Sequence, residues 1–86
     1  MEQIIIDEHA LKHGVKPDDI EHAWYNFVAK VYRGAPNEGE IIAIGYDKSG
    51  RFVEMVGAER TFGVIVFHSI TPPTRIALRE LGMERS

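Results

Sequence analysis

Four histidines and no cysteine set the chemical repertoire of this chain. Without cysteine there is neither a disulfide framework nor a thiolate metal site. Histidine titrates near neutrality, so it can both take and give a proton. His68 follows the apolar run Val64-Ile65-Val66-Phe67, at a strand end where a groove beside a helix would expose it. Strand alternation groups it with Val64, Val66 and Ile70, against Ile65, Phe67 and Ser69. There it can shuttle a proton, or simply cap the strand by bonding to backbone. His9 and His13 are four apart, on one face of a short helix, as two metal ligands would be. Ala10 stands where the zinc-protease pattern needs glutamate, and a third ligand would have to come from His22, Glu54 or His68. Neither a metal nor a cofactor is therefore expected. Glu54, with Phe52 and Val56 as same-face neighbours, is either a functional carboxylate or, the favoured reading, the partner of a cross-strand base such as Arg51 or Arg60.

The elements that must position these groups follow from pattern. Ile4-Ile5-Ile6 suits a first strand, and Asp7 can cap a short helix from Glu8 to His13 that Gly14 stops. Pro17 opens a second helix, with Asp18, Asp19 and Glu21 at its positive end. Ile20, Ala23, Trp24, Phe27, Val28 and Val31 recur at helical spacing, which carries that helix to about Tyr32. Trp24 fits its core face, and the neighbouring Tyr25 is a candidate partner contact. Residues 34–39 read as a loop. Strands at 40–46, 51–58 and 64–70, joined by short turns, make an antiparallel meander whose last strand is apolar on both faces and so central. Thr71 or Thr74 can cap a final helix through Leu81, with Arg75 and Arg79 one turn apart on its outside. The expected order is β-α-α-β-β-β-α, an α+β domain spanning residues 1–86 with its helices packed on one face of a small antiparallel sheet.

Charge narrows the function classes. Ten Lys and Arg stand against thirteen Asp and Glu, a net charge of −3, so the chain is no whole-surface phosphate binder and any nucleic-acid contact must be local. The N-terminus lacks the zones of a signal peptide, and no apolar run approaches the roughly twenty residues of a membrane span. A cytoplasmic location without membrane contact is expected. A domain of this size hides only about 60% of its unfolded surface, so pairing with another chain, a different protein or a further copy in a homo-oligomer, would help it.

The stretch Asp7-Glu8-His9-Ala10-Leu11-Lys12-His13-Gly14-Val15 resembles the opening of the BrnT-like toxins of bacterial toxin–antitoxin modules, members of the RelE ribonuclease superfamily. Pro17-Asp18-Asp19-Ile20-Glu21-His22-Ala23 is similar to the start of that family's second helix. Ile42-Ala43-Ile44-Gly45, followed by Gly50-Arg51-Phe52-Val53, resembles its hairpin. The resemblance implies a RelE-like fold and a metal-independent endoribonuclease that cleaves mRNA and is silenced by a small antitoxin. One departure is evident. His68-Ser69-Ile70-Thr71-Pro72-Pro73 stands where the family places a basic segment, which leaves Arg75 and Arg79 as the cations of the last helix.

Cleavage by such an enzyme needs a base for the 2′-hydroxyl, an acid for the leaving 5′-oxygen and positive charge beside the phosphate. His68 is then the proton shuttle, and Arg75 and Arg79 hold RNA phosphate. Lys12 and His13, from the motif that carries the resemblance, join the catalytic group, with Lys12 stabilising phosphorane charge if its helix borders the groove. Their dull alternative is a basic pair at a helix C-terminus. The competing expectation for the whole chain is a non-catalytic protein-binding module on the same fold, which the acidic balance favours.

Overall fold

A computed structural model describes residues 2–84. In chain order it contains β1 (Gln3–Ile6), a 3-10 turn (Glu8–Leu11), α1 (Pro17–Tyr25), β2 (Phe27–Tyr32), β3 (Glu40–Tyr46), β4 (Phe52–Arg60), β5 (Gly63–Ile70) and α2 (Arg75–Glu80). The class is α+β. Five strands form one sheet in the order β1-β5-β4-β3-β2. Strands β2 to β5 pair antiparallel, whereas β1 runs parallel to β5, so the sheet is mixed rather than purely antiparallel.

The second helix is shorter than its apolar spacing suggests. Ile20, Ala23 and Trp24 are buried against Ile41, Ala43, Val53, Met55, Val64 and Val66, but the helix ends at Tyr25. Both the backbone and the side-chain amide of Asn26 donate to the His22 carbonyl, which closes the last turn. Phe27-Val28-Ala29-Lys30-Val31-Tyr32 then leaves as a strand, as its β-branched and aromatic content allows. Pairing with β3 supplies the backbone bonds that decide between the two patterns. The observed order therefore carries one strand more than expected.

The helices also lie on opposite faces. Ile41 and Ala43 turn to the α1 side, while Ile42 and Val56 pack with Ala77 of α2, Phe67 and Leu81. Thr74 is the cap of α2, its hydroxyl accepting from the Ala77 amide. At the β3–β4 turn, buried Asp47 accepts from the amides of Ser49 and Arg51 and from the Arg51 guanidinium.

A bulge in β5 changes which residues share a face. Val56 pairs with His68, but the adjacent Gly57 pairs with Val66, so Phe67 is the extra residue. Phe67 and His68 both reach the α2 side, and Ser69 returns to the α1 side, where its hydroxyl donates to the Ala10 carbonyl. Unbroken alternation, which would have kept His68 with Val64 and Val66, fails at this one position.

Helix α1 rests directly on β3 at Gly45, where a Cβ would strike the backbone carbonyl of Ala23. Gly45→Ala should therefore lower stability by about 3 kcal/mol, the upper end for overpacking a tight contact. The readout is the urea midpoint. Gly34→Ala, with open space around its Cβ, should stay within about 0.5 kcal/mol of the parent.

Candidate active site at the end of β5

Strand β1 pairs only as far as Ile6 with Val66, and the Asp7 amide makes the last bond to the Val66 carbonyl. The 3-10 turn then lies beside the second half of β5, with buried Ala10 anchored by Ser69. This carries Lys12 and His13 to the rim of a cleft on the α2 side. The cleft measures about 530 Å³, and Asp7, His9, Arg33, Glu54, Phe67 and His68 complete its polar and aromatic lining.

At its floor is Glu54, only 6% exposed. One carboxylate oxygen, Oε1, accepts from the amide of Thr74 at 2.9 Å and from its hydroxyl at 2.8 Å. The other, Oε2, lies 2.7 Å from His68 Nε2. Burial on its own would push this carboxyl up, but the bonds from His68 and Thr74 outweigh it and hold Glu54 below the usual carboxylate range. An ionised carboxylate can only accept, so His68 Nε2 carries the hydrogen and Nδ1 is the nitrogen left to take a proton. A buried acid that fixes the tautomer of a histidine is the arrangement of a general base and its orienting group. The His13 ring stands edge-on to His68 with centroids 5.8 Å apart, so two proton-transfer groups meet in one cleft.

Arg33, just past the end of β2, supplies the cleft's guanidinium. Its Nε and Nη2 donate to the two oxygens of Glu80, and Nη1 donates to Glu40. The Glu80 bonds do most to raise its pKa, against the opposing effect of burial and with help from Glu40, so the charge is permanent. Three of its five N–H donors are engaged, which leaves two for an anion.

His68, Lys12 and His13 thus come together, and Arg75 and Arg79 do not join them. Those arginines are 85% and 68% exposed and turn to Glu84. Tyr25 packs partly against the α1-side core, and its hydroxyl donates to the Glu2 carbonyl, so it lies on the other side of the sheet. His9 turns to Asp7, and His22 Nδ1 donates to the Tyr46 carbonyl. Among the described residues no three His, Asp or Glu side chains gather as metal ligands.

The partner of Glu54 and the presence of Arg33 in the cleft escaped the sequence reading. Glu54 was expected to pair with Arg51 or Arg60, yet Arg51 serves Asp47 and Arg60 bonds the Glu59 carbonyl. The apolar neighbours of Glu54 signalled a buried acid needing a partner, but only the bulge makes that partner His68. Nothing local marked Arg33, since its role depends on where β2 ends.

The fold and the cleft together define an α+β protein with a histidine–carboxylate pair in a cleft on one sheet face. No family model, curated protein or solved structure matches the chain.

The ordinary value for Glu54 is 4.5, and its folded value lies lower. Between the two the unfolded chain binds more protons, so folding stability rises with pH there. Its contribution is complete above about 4.5 and drains as pH falls through the folded value. Urea midpoints measured from pH 6 downward should show a steep acid limb. Glu54→Gln should flatten that limb, leaving the parts due to Asp47, where bonds from Arg51 and Ser49 outweigh burial, and to Asp7, held low by the backbone and side-chain bonds from His9.

Proposed function

We propose that the chain is a BrnT-like toxin of the RelE ribonuclease superfamily: an endoribonuclease that cleaves mRNA without metal and is neutralised by a small antitoxin. The observation that carries this reading is the His68–Glu54 pair, with the His13 ring edge-on to His68 in the same cleft. His68 Nδ1 takes the proton of the 2′-hydroxyl, Glu54 stabilises the resulting imidazolium, and His13 gives a proton to the leaving 5′-oxygen. The 2′-oxygen forms its bond to phosphorus as the bond to the 5′-oxygen breaks. Lys12 and the spare donors of Arg33 face the negative charge that grows on the phosphoryl oxygens. Arg75 and Arg79, outside the cleft, are left to hold phosphates farther along the RNA.

A second reading, a binding module without catalysis, is favoured by one feature. Arg33, Arg75 and Arg79 all sit beside carboxylates, which reduces the positive potential offered to RNA. Inducible expression of the chain alone in bacteria, with growth followed and mRNA ends mapped, separates the two. The ribonuclease reading expects arrest with new RNA ends. His68→Ala should cut cleavage by about 10²–10⁴-fold, the usual worth of a general base, while remaining soluble. Arrest without new ends would point to another target, and soluble protein with no arrest would favour the binding module.

A further inference from the structure

Strand β2 is an edge strand whose only hydrogen-bonded neighbour among the described residues is β3. Its sequence, Phe27-Val28-Ala29-Lys30-Val31-Tyr32, has one charge and no proline, and Phe27, Val28, Val31 and Tyr32 are 47%, 48%, 38% and 59% exposed. Proteins usually blunt such an edge with a projecting lysine or a bulge. Here the Lys30 ammonium lies along the strand, 4.4 Å from the centroid of the Phe27 ring, and the bulge is confined to the Phe27–Ala29 end. The Lys30–Tyr32 end is left straight and open.

We infer that this edge pairs with the same edge of a second copy, antiparallel, with Val31 on the two-fold axis. The register follows from the backbone. The Arg33 amide donates to the Glu40 carbonyl, so alternate residues Arg33, Val31 and Ala29 turn their backbone groups toward β3. Lys30 and Tyr32 therefore turn theirs outward. With Val31 opposite its symmetry mate, Lys30 of each copy faces Tyr32 of the other, and both outward residues of both strands exchange bonds. Side chains agree with this choice. Val31 meets Val31 on the α2 side, and each Lys30 meets an aromatic ring on the α1 side, where Lys30 and Tyr32 lie beside Ala43 and Ile41. Centring the pair on Lys30 would oppose two ammonium groups, and centring it on Tyr32 would carry Lys30 out against Gly34, beyond the strand. A second copy is thus the occupant whose charge and bond pattern this edge already fits. The axis stands perpendicular to the sheet, so the five-stranded sheets become continuous and the two clefts open on the same face. None of this rests on the ribonuclease reading, because β2 contributes no group to the proton-transfer chemistry.

Light scattering on the purified full chain should give twice the monomer mass. Because the chain has no cysteine, single substitutions report the register cleanly. Residues opposite each other in a non-hydrogen-bonded pair have Cα atoms about 4.5 Å apart, within the roughly 4.4–6.8 Å a disulfide spans. Val31→Cys should form an intermolecular disulfide on mild oxidation of the native protein, whereas Ala29→Cys and Lys30→Cys should not. Val31→Asp, which opposes two carboxylates, should shift the mass to that of one chain while leaving the circular dichroism spectrum in place. A parent that is monomeric at every concentration overturns the proposal. So does cross-linking through position 29 or 30 in preference to 31.

Discussion

A buried carboxylate that must be satisfied organises this molecule. Glu54 sits almost fully out of water, where an unpaired charge would cost several kcal/mol. Its partners come from two other elements, the imidazole of His68 on β5 and the amide and hydroxyl of Thr74 at the start of α2. Each partner imposes geometry. His68 reaches Glu54 only because Phe67 bulges out of register, and Thr74 reaches it while its hydroxyl also caps α2. The start of α2, the bulge and the orientation of the histidine all meet the same demand.

The distribution of cations follows a related rule. Arg33 is held by Glu40 and Glu80, and the Glu80 bonds tie α2 to the end of β2 across the sheet. Arg51 closes the β3–β4 turn on Asp47, and Arg75 and Arg79 turn to Glu84. Most guanidinium groups thus work on structure, which fits an acidic chain better than a basic one. Lys12 and His13 differ. They stand on the rim with no carboxylate bonded to them among the described residues, so Lys12 joins Arg33 as a cation of the cleft, and the last helix supplies none.

Much of the fold was legible in the sequence because it is local. The capping Asp7, the helix start at Pro17, the three strands of the meander and the Thr74 cap all rest on short-range chemistry. The errors came where two periods fit one stretch. Trp24, Phe27, Val28 and Val31 satisfy a helical repeat, yet Phe27 to Tyr32 are also β-formers, and only the partner strand decides. The candidate site was half legible. His68, Lys12 and His13 converge, but Glu54 and Arg33 enter through a bulge and a strand end that no local pattern announces. The opposite placement of α2 has the same origin, since it depends on the faces of β4 and β5 that only the register assigns.

The edge at β2 and the cleft share one cause. Gly45 lets the backbone of α1 lie on β3, and the chain then reverses at Asn26 straight into a strand beside it. Had the helix continued, Phe27, Val28 and Val31 would have been candidates for the core and Arg33 would have emerged at another place. Ending it early leaves β-forming residues on an open edge and delivers Arg33 to the cleft, where Glu80 and Glu40 receive it. An open edge costs a small domain solubility unless something covers it. Covering it with a second copy keeps both clefts on one face, so the same reversal that builds the site also sets how two sites would be presented to a strand long enough to reach both.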